Sequence, residues 1–183
     1  MNIDKTKQAV TDLLIAIGED PNREGLVETP TRVAKAYAEI LGSDLPDVES
    51  YFKTFEYEGN GVVMQSDIEF YSLCEHHMLP FFGKVHIAYL PNNKVIGLSK
   101  LSRIVEYYAK NLQLQERLTE QIASSLMTHL ECRGVIVVIE AKHLCMSMRG
   151  VRQGNAITKS VVSKGIYAED QNLRVELLSQ LTN

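Results

Sequence analysis

Cysteine and histidine are crowded into one short segment of this chain. The sequence "CEHH" at positions 74–77 holds one cysteine and two histidines, although the 183 residues include only three cysteines and five histidines. Cys74 and His77 form a C-x-x-H pair, and this spacing lets both side chains reach one ion from a tight turn. A second pair, His143 and Cys145, follows an apolar run, and residues two positions apart in an extended segment point the same way. Thiolate and imidazole ligands together suit zinc.

The number of ligands separates a structural metal site from a catalytic one. A closed structural site uses four protein ligands, whereas a catalytic site uses three and leaves one position for water. The set Cys74, His77 and Cys145 would leave His76 and His143 as free imidazoles beside the metal, which is a hydrolytic arrangement. The alternative stays open that the thiols are small buried side chains and the histidines ordinary core or surface groups, because C-x-x-H alone is a weak pattern.

Basic residues beside a strand end predict an anionic ligand. In "VIGLSKLSRIVEYYA" we expect Ser99 to cap a helix, with Lys100 and Arg103 in its first turn. Cations at that end oppose the helix dipole, and a bound anion such as phosphate would remove the conflict. A solvated surface turn is the alternative.

Further charged positions extend this hypothesis. Arg149 and Arg152 follow the second histidine–cysteine pair, and Arg32 and Lys35 lie one turn apart on an early helix. A ligand with several phosphates would explain three basic clusters in an acidic protein. Glu116 opens a later helix, and its carboxylate could accept two adjacent N–H groups from the edge of a guanine. Acidic residues at helix starts are also common for dipole reasons alone.

The elements that must position these residues alternate between helices and paired strands. Apolar spacing predicts helices in the first 43 residues, strands at "GVVMQSDIEF" and "GKVHIAYLP", a helical pair over residues 101–126, strands at "GVIVVIEA" and "NAITKSVVSKGIY", and a last helix at "DQNLRVELLSQL". Adjacent pairs of strands favour an antiparallel sheet with helices on one face, an α+β fold. We place a boundary near residue 50, between an N-terminal helical segment (1–50) and a main domain (51–183).

Composition limits the classes of function. The formal net charge of −4 argues against non-specific nucleic-acid binding and against attraction to an anionic membrane surface. No apolar run is long enough to span a bilayer, and the first residues read as an amphipathic helix rather than a signal peptide. We therefore expect a cytoplasmic protein. The odd number of cysteines favours thiols or metal ligands over disulfides.

Taken together, these segments resemble the GTP cyclohydrolase I family over roughly residues 18–180. The resemblance is densest in "GEDPNREGLVETPTRVAKAY", "YSLCEHHMLPFFGKVHIAYLP", "VIGLSKLSRIVEYYAK", "QLQERLTEQIA" and "HLCMSMRGV". It implies the tunnelling fold, a four-stranded antiparallel sheet backed by two long helices, with extra N-terminal helices. It also implies a homodecamer of two stacked pentamers with active sites between subunits. The implied reaction is zinc-dependent hydrolysis of GTP to 7,8-dihydroneopterin triphosphate with release of formate, the first step of tetrahydrofolate and pterin biosynthesis.

The resemblance also implies a role for each site residue. The zinc (Zn2+) ligands would be Cys74, His77 and Cys145. The groups that act on the reacting rings and the ribose would be His76, His143 and Ser99. The guanine would be anchored by Glu116, with Gln115 beside it. The triphosphate contacts would be Lys100, Arg103 and Arg149, with Arg32 and Lys35 reaching in from a neighbouring subunit.

The last strand departs from the family pattern. It carries Lys159 and Lys164 where the family usually has a run rich in threonine and serine. This departure bears on how subunits pack in a ring more than on chemistry, because no catalytic position is missing.

Three other functions stay open from the sequence. A zinc nucleobase deaminase would show H-x-E followed by P-C-x-x-C, and no P-C-x-x-C is present in the sequence. A tunnelling-fold nitrile reductase would use a cysteine nucleophile and NADPH without zinc. A non-catalytic binding module with a structural zinc would need a fourth protein ligand, His76 or His143, so the coordination number separates it from the enzyme.

Overall fold

The computed structural model describes residues 1–42 and 45–181. The chain divides into two compact units, Met1–Leu45 and Pro46–Asn183. The first contains two helices that pack against each other, α1 (Ile3–Ala16) and α2 (Thr29–Ile40). The side chain of Asn2 caps α1 by accepting the N–H of Lys5. Residue 43, where we expected the N-terminal helical stretch to end, and residues 182 and 183 of the expected main domain lie outside the described residues.

The second unit is built around an antiparallel sheet. Its strands are β1 (Thr54–Glu56), β2 (Val63–Cys74), β3 (Pro80–Leu90), β4 (Lys94–Ile96), β5 (Leu112–Gln113), β6 (Gly134–His143) and β7 (Thr158–Gly165). Strands β2, β3, β6 and β7 lie side by side in that order, each antiparallel to the next. The short β5 pairs in parallel with the end of β2, while β1 and β4 form a separate two-stranded sheet.

Helices cover this sheet because its strands are apolar on the covered faces. The helices are α3 (Leu98–Ala109), α4 (Gln115–Ser125), α5 (Leu144–Ser147), α6 (Ile166–Glu169) and α7 (Gln171–Leu181). Helices α3 and α4 pack on the face that carries Val85, Ile87 and Val137, and each of these side chains is fully buried. Burying one such side chain contributes about 1.5–3 kcal/mol. Helix α7 packs on the opposite face, against Leu90 and Val138.

These observations confirm the expected α+β architecture, with four antiparallel strands and two helices on one face. The β-branched and aromatic residues of the first two long strands and the continuous apolar run of β6 were the signals that predicted it. Within the described ranges, none of the helices combines the length and apolar character needed to cross a membrane.

Two local expectations were wrong. Gly97, not Ser99, is the N-cap of α3, because the chain leaves β4 at Ile96 and turns into the helix at once. The expected helical pair is also interrupted, since Leu112 belongs to β5 and pairs with Leu73 of β2. That parallel pairing draws the segment between α3 and α4 toward the end of β2, where the "CEHH" segment begins.

Candidate active site

A tight turn between β2 and β3 presents the "CEHH" segment. The N–H of Met78 donates to the carbonyl of Cys74 at 2.8 Å, and the N–H of Cys74 donates to the carbonyl of Leu79 at 2.9 Å. Met78 has a φ of 52°, a left-handed conformation that is uncommon for methionine. The closed turn brings both histidines back over Cys74, whose Sγ lies 3.9 Å from His76 Nδ1 and 4.0 Å from His77 Nδ1.

The second histidine–cysteine pair lies beside this turn, where the neighbouring strand β6 ends. Strand β6 pairs with β3 so that His143 faces Phe81, and Cys145 follows in α5. One donor atom from each of Cys74, His77 and Cys145 lies within 4.8 Å of the others. Two thiols and one imidazole are the donor set that zinc takes in tetrahedral sites. The three residues therefore fit a metal ion.

Burial affects the chemistry of the Cys145 thiol. It raises the pKa of Cys145, and the neighbouring Cys74 raises it further, whereas Arg149 opposes the shift. A bound cation reverses this effect, because it stabilises the thiolate directly. The two thiols beside each other are therefore better suited to a metal than to a free nucleophile.

Gln115, the first residue of α4, holds the ring of His143 in place. The two N–H groups of Gln115 Nε2 are shared among three acceptors, the carbonyls of Ile139 and Thr158 at 3.0 and 3.1 Å and Ser160 Oγ at 3.0 Å. These acceptors fix the orientation of the amide, so Gln115 Oε1 is the acceptor for His143 Nε2 at 2.8 Å. In the neutral ring Nε2 then carries the proton, and Nδ1 is the nitrogen available to a ligand.

The surroundings of His143 are partly apolar. Its ring stacks on Phe81, with centroids 4.8 Å apart and an interplanar angle of 5°. Burial lowers the pKa of His143, and the negative charge of Glu116 partly opposes this shift. Glu116 itself is exposed at the start of α4, one residue after the buried Gln115. The histidine is therefore close enough to an accessible carboxylate to respond to its charge.

Arg149 contacts the histidine of the metal group. Its Nη1 lies 3.0 Å from His77 Nε2, and because arginine can only donate, His77 Nε2 is the acceptor. A metal bound through His77 Nδ1 would place the ring proton on Nε2. Arg149 could then no longer donate to this nitrogen, and its guanidinium would be free to donate to another acceptor.

The other basic residues predicted from the sequence lie in two places. Lys100 and Arg103 are in α3, and among the ion pairs of residues 1–42 and 45–181 neither takes part. Arg32 and Lys35 are in α2 of the first unit, where Arg32 pairs with Glu28 one turn earlier. Lys100 and Arg103 are therefore available to bind an anionic ligand.

Comparison with known proteins identifies the family. The family model described as GTP cyclohydrolase I matches residues 6–182. The chain belongs to the GTP cyclohydrolase I family. It is 51% identical over 180 residues to the GTP cyclohydrolase 1 of Clostridium perfringens (strain 13 / Type A), covering 98% of this chain and 97% of that protein. It is also 51% identical over 177 residues to the GTP cyclohydrolase 1 of Finegoldia magna, covering 96% of both chains.

Membership in the GTP cyclohydrolase I family confirms the resemblance seen in the sequence and makes the chain an enzyme of that type. The fold expected for the family agrees with the observed sheet and helices. A solved structure, the archaeosine synthase QueF-Like in the apo form, is similar over 59% of this chain and 97% of its own, with a TM-score of 0.47 and 15% identity. A likeness at that level has no bearing on activity.

Sequence reasoning missed the groups that hold this site together. Gln115 was expected beside the guanine, but its side chain is 2% exposed and its polar atoms are engaged within the protein. Its contact with substrate stays a prediction. Arg117 was not considered, although a cation in the first turn of α4 opposes the helix dipole just as Lys100 does in α3. That conflict was the signal that could have found it.

Proposed function

We propose that this enzyme hydrolyses GTP to 7,8-dihydroneopterin triphosphate and formate in a zinc-dependent reaction, at the entry to tetrahydrofolate or another pterin pathway. Family membership supports GTP as the substrate. The observation that carries the proposal is the group of Cys74, His77 and Cys145, with donor atoms within 4.8 Å of one another and His143 two residues from one of them. Such a group beside an oriented imidazole has the composition of a hydrolytic site.

Cys74, His77 and Cys145 would hold the zinc ion. When bound, zinc supplies Lewis-acid activation of water. Three protein ligands leave a fourth position open, which is typical of catalytic and not of structural zinc sites.

His143 and His76 would move protons at the imidazole ring of the guanine. In His143 the atom that does so is Nδ1, because Nε2 is hydrogen bonded to Gln115 Oε1. We assign Gln115 the task of orienting this ring. His76 is the second acid/base group, and its Nδ1 lies 3.9 Å from Cys74 Sγ, beside the metal group. Ser99, near the start of α3, would contact the ribose before the new ring closes.

The charged residues would bind the rest of the nucleotide. Glu116 is exposed and would accept two N–H groups of the guanine. The triphosphate would lie against the cations of this subunit and of a neighbour, namely Lys100, Arg103 and Arg149 with Arg32 and Lys35 from the adjacent chain. This division of the site requires a homo-oligomer, which we propose to be a decamer of two stacked pentamers located in the cytoplasm.

The test is to incubate the zinc-loaded protein with GTP, quantify formate, and follow pterin absorbance after oxidation. Formate together with a neopterin product supports the proposal. Formate without the pterin would mean that the ring opens but does not close again, and would contradict the proposed product. Neither product, with zinc shown to be bound, would refute the proposed reaction.

A further inference from the structure

Arg117, in the first turn of α4, connects three segments with one guanidinium group. Its Nη2 donates to Glu75 Oε2 at 2.5 Å and to the carbonyl of Leu112 at 2.8 Å. Its Nε donates to Gln113 Oε1 at 3.0 Å. The segments joined in this way are the metal turn (residues 74–79, which carry Cys74 and His77), strand β5 and the start of α4.

Glu75 lies inside the metal turn, between Cys74 and His76. Its N–H donates to the carbonyl of Gln113 at 3.0 Å, next to the point where Cys74 of β2 pairs with Gln113 of β5. Side chain and backbone of Glu75 are therefore both tied to the segment that leads into α4. Gln113 is itself held in place, because its buried side chain donates to the carbonyl of Tyr108 at 2.9 Å.

The energetics of this ion pair favour a role in positioning. The side chains of Arg117 and Glu75 are 41% and 31% exposed, and exposed ion pairs contribute little to global stability. A cation in the first turn of a helix is also unfavourable unless an acid compensates it. Glu75 supplies that acid from within the turn that holds two of the metal ligands.

We propose that the Glu75–Arg117 pair is a positioning device that sets the metal turn relative to the first turn of α4. This inference rests on the proposed function. Neither residue is a catalytic residue, because each acts through the groups it holds. Without the pair, mainly backbone hydrogen bonds would hold the turn, and we expect Cys74 and His77 to shift relative to Cys145. Loss of partners that orient metal ligands typically costs about 10–100-fold in metal affinity or activity.

The test measures zinc affinity by competition with a chromophoric chelator, using the full-length protein, the variants Glu75→Gln and Arg117→Met, and the double variant. We expect each single variant to bind zinc about 10–100-fold more weakly. The double variant should be no weaker than the weaker single variant, because both changes remove the same contact. In the zinc-saturated variants, the fold decrease in kcat for formate release should exceed the fold increase in KM for GTP.

A matched control is Lys164→Met, which removes the ion pair between Lys164 of β7 and Glu120, 2.6 Å apart. Glu120 lies on the same helix α4 as Arg117 but is not joined to the metal turn. The zinc affinity of Lys164→Met should equal that of the wild type, and the urea midpoints of Glu75→Gln and Arg117→Met should lie within the shift it shows. Three outcomes would overturn the inference. Zinc affinity could be unchanged in both single variants, or the losses of zinc affinity could add in the double variant. The third is a loss of zinc affinity accompanied by a larger shift of the urea midpoint than Lys164→Met shows. Wild-type protein that binds no zinc would instead overturn the proposed function.

Discussion

Replacing Gln115 by methionine tests how the orientation of His143 contributes to catalysis. Methionine has a similar length but no hydrogen-bonding amide. The variant loses the bond from His143 and the two N–H groups that Ile139, Thr158 and Ser160 share. At about 1 kcal/mol for each of these three hydrogen-bonding groups, the free energy of unfolding should fall by about 3 kcal/mol. His143 would also lose the acceptor that fixes its proton on Nε2.

The catalytic loss should be larger than the loss of stability explains. General acid–base catalysis contributes about 100- to 10,000-fold, and we expect Gln115→Met to lower kcat for formate release by about 100-fold under conditions where it is folded. Urea unfolding reports the free energy of unfolding, and formate quantification at saturating GTP reports kcat. Zinc content should stay close to that of the wild type, because Gln115 contacts none of the three proposed ligands.

Thr119→Val is the matched control. Thr119 is fully buried and bonds to the carbonyl of Gln115 and to Ser160 Oγ, both at 2.7 Å, but it does not contact His143. It should lose about 2 kcal/mol of stability for two bonds and keep nearly full kcat. If Gln115→Met keeps kcat within about twofold of the wild type, or if Thr119→Val loses as much kcat, then orientation by Gln115 is not what His143 requires.

Three further variants separate the roles of the site residues. His143→Ala should retain zinc and the oligomer but release no formate; full turnover would contradict a proton-transfer role. Glu116→Ala should raise KM for GTP by about 10–100-fold with little change in thermal stability, because this exposed carboxylate is assigned to the guanine and not to the core. Equal losses of GTP binding and stability would exclude it as the guanine anchor. Arg149→Gln should raise KM for GTP by about tenfold and leave zinc affinity equal or higher, because the arginine no longer occupies His77 Nε2; a large loss of zinc affinity would mean that Arg149 supports the metal instead.

The sheet was predictable because its signal is local. Strand β3 is rich in β-branched and aromatic residues, and β6 is a continuous apolar run between turn residues, so neither assignment depends on distant parts of the chain. Strand β5 has no such signal. Its two residues are held by pairing with Leu73 and Cys74, a contact that only the assembled sheet provides. The same applies to the cap of α3, where the end of β4 at Ile96 decides that Gly97 begins the helix.

The chemistry of the site was also visible in residue types, whereas its support was not. Cysteine and histidine are uncommon enough that two pairs of them at ligand spacing favour a metal site. Gln115 gave no comparable signal, because its partners lie on β6 and β7, 24 to 45 residues further along the chain. The number of bonds that a buried amide satisfies depends on strand register, which the sequence pattern does not specify at the level of single atoms.

The start of α4 explains how one short segment serves several parts of the site. Successive residues of a helix point about 100° apart, so three residues in a row face three directions. Gln115 points into the protein and holds His143, Glu116 faces solvent, and Arg117 reaches the metal turn through Glu75. Helix α4 is fixed to the sheet by fully buried side chains such as Leu118 and Ile122. A shift of this helix should therefore disturb the proposed proton-transfer group, the proposed guanine anchor and the metal turn together, whereas each single variant described above should disturb only one of them.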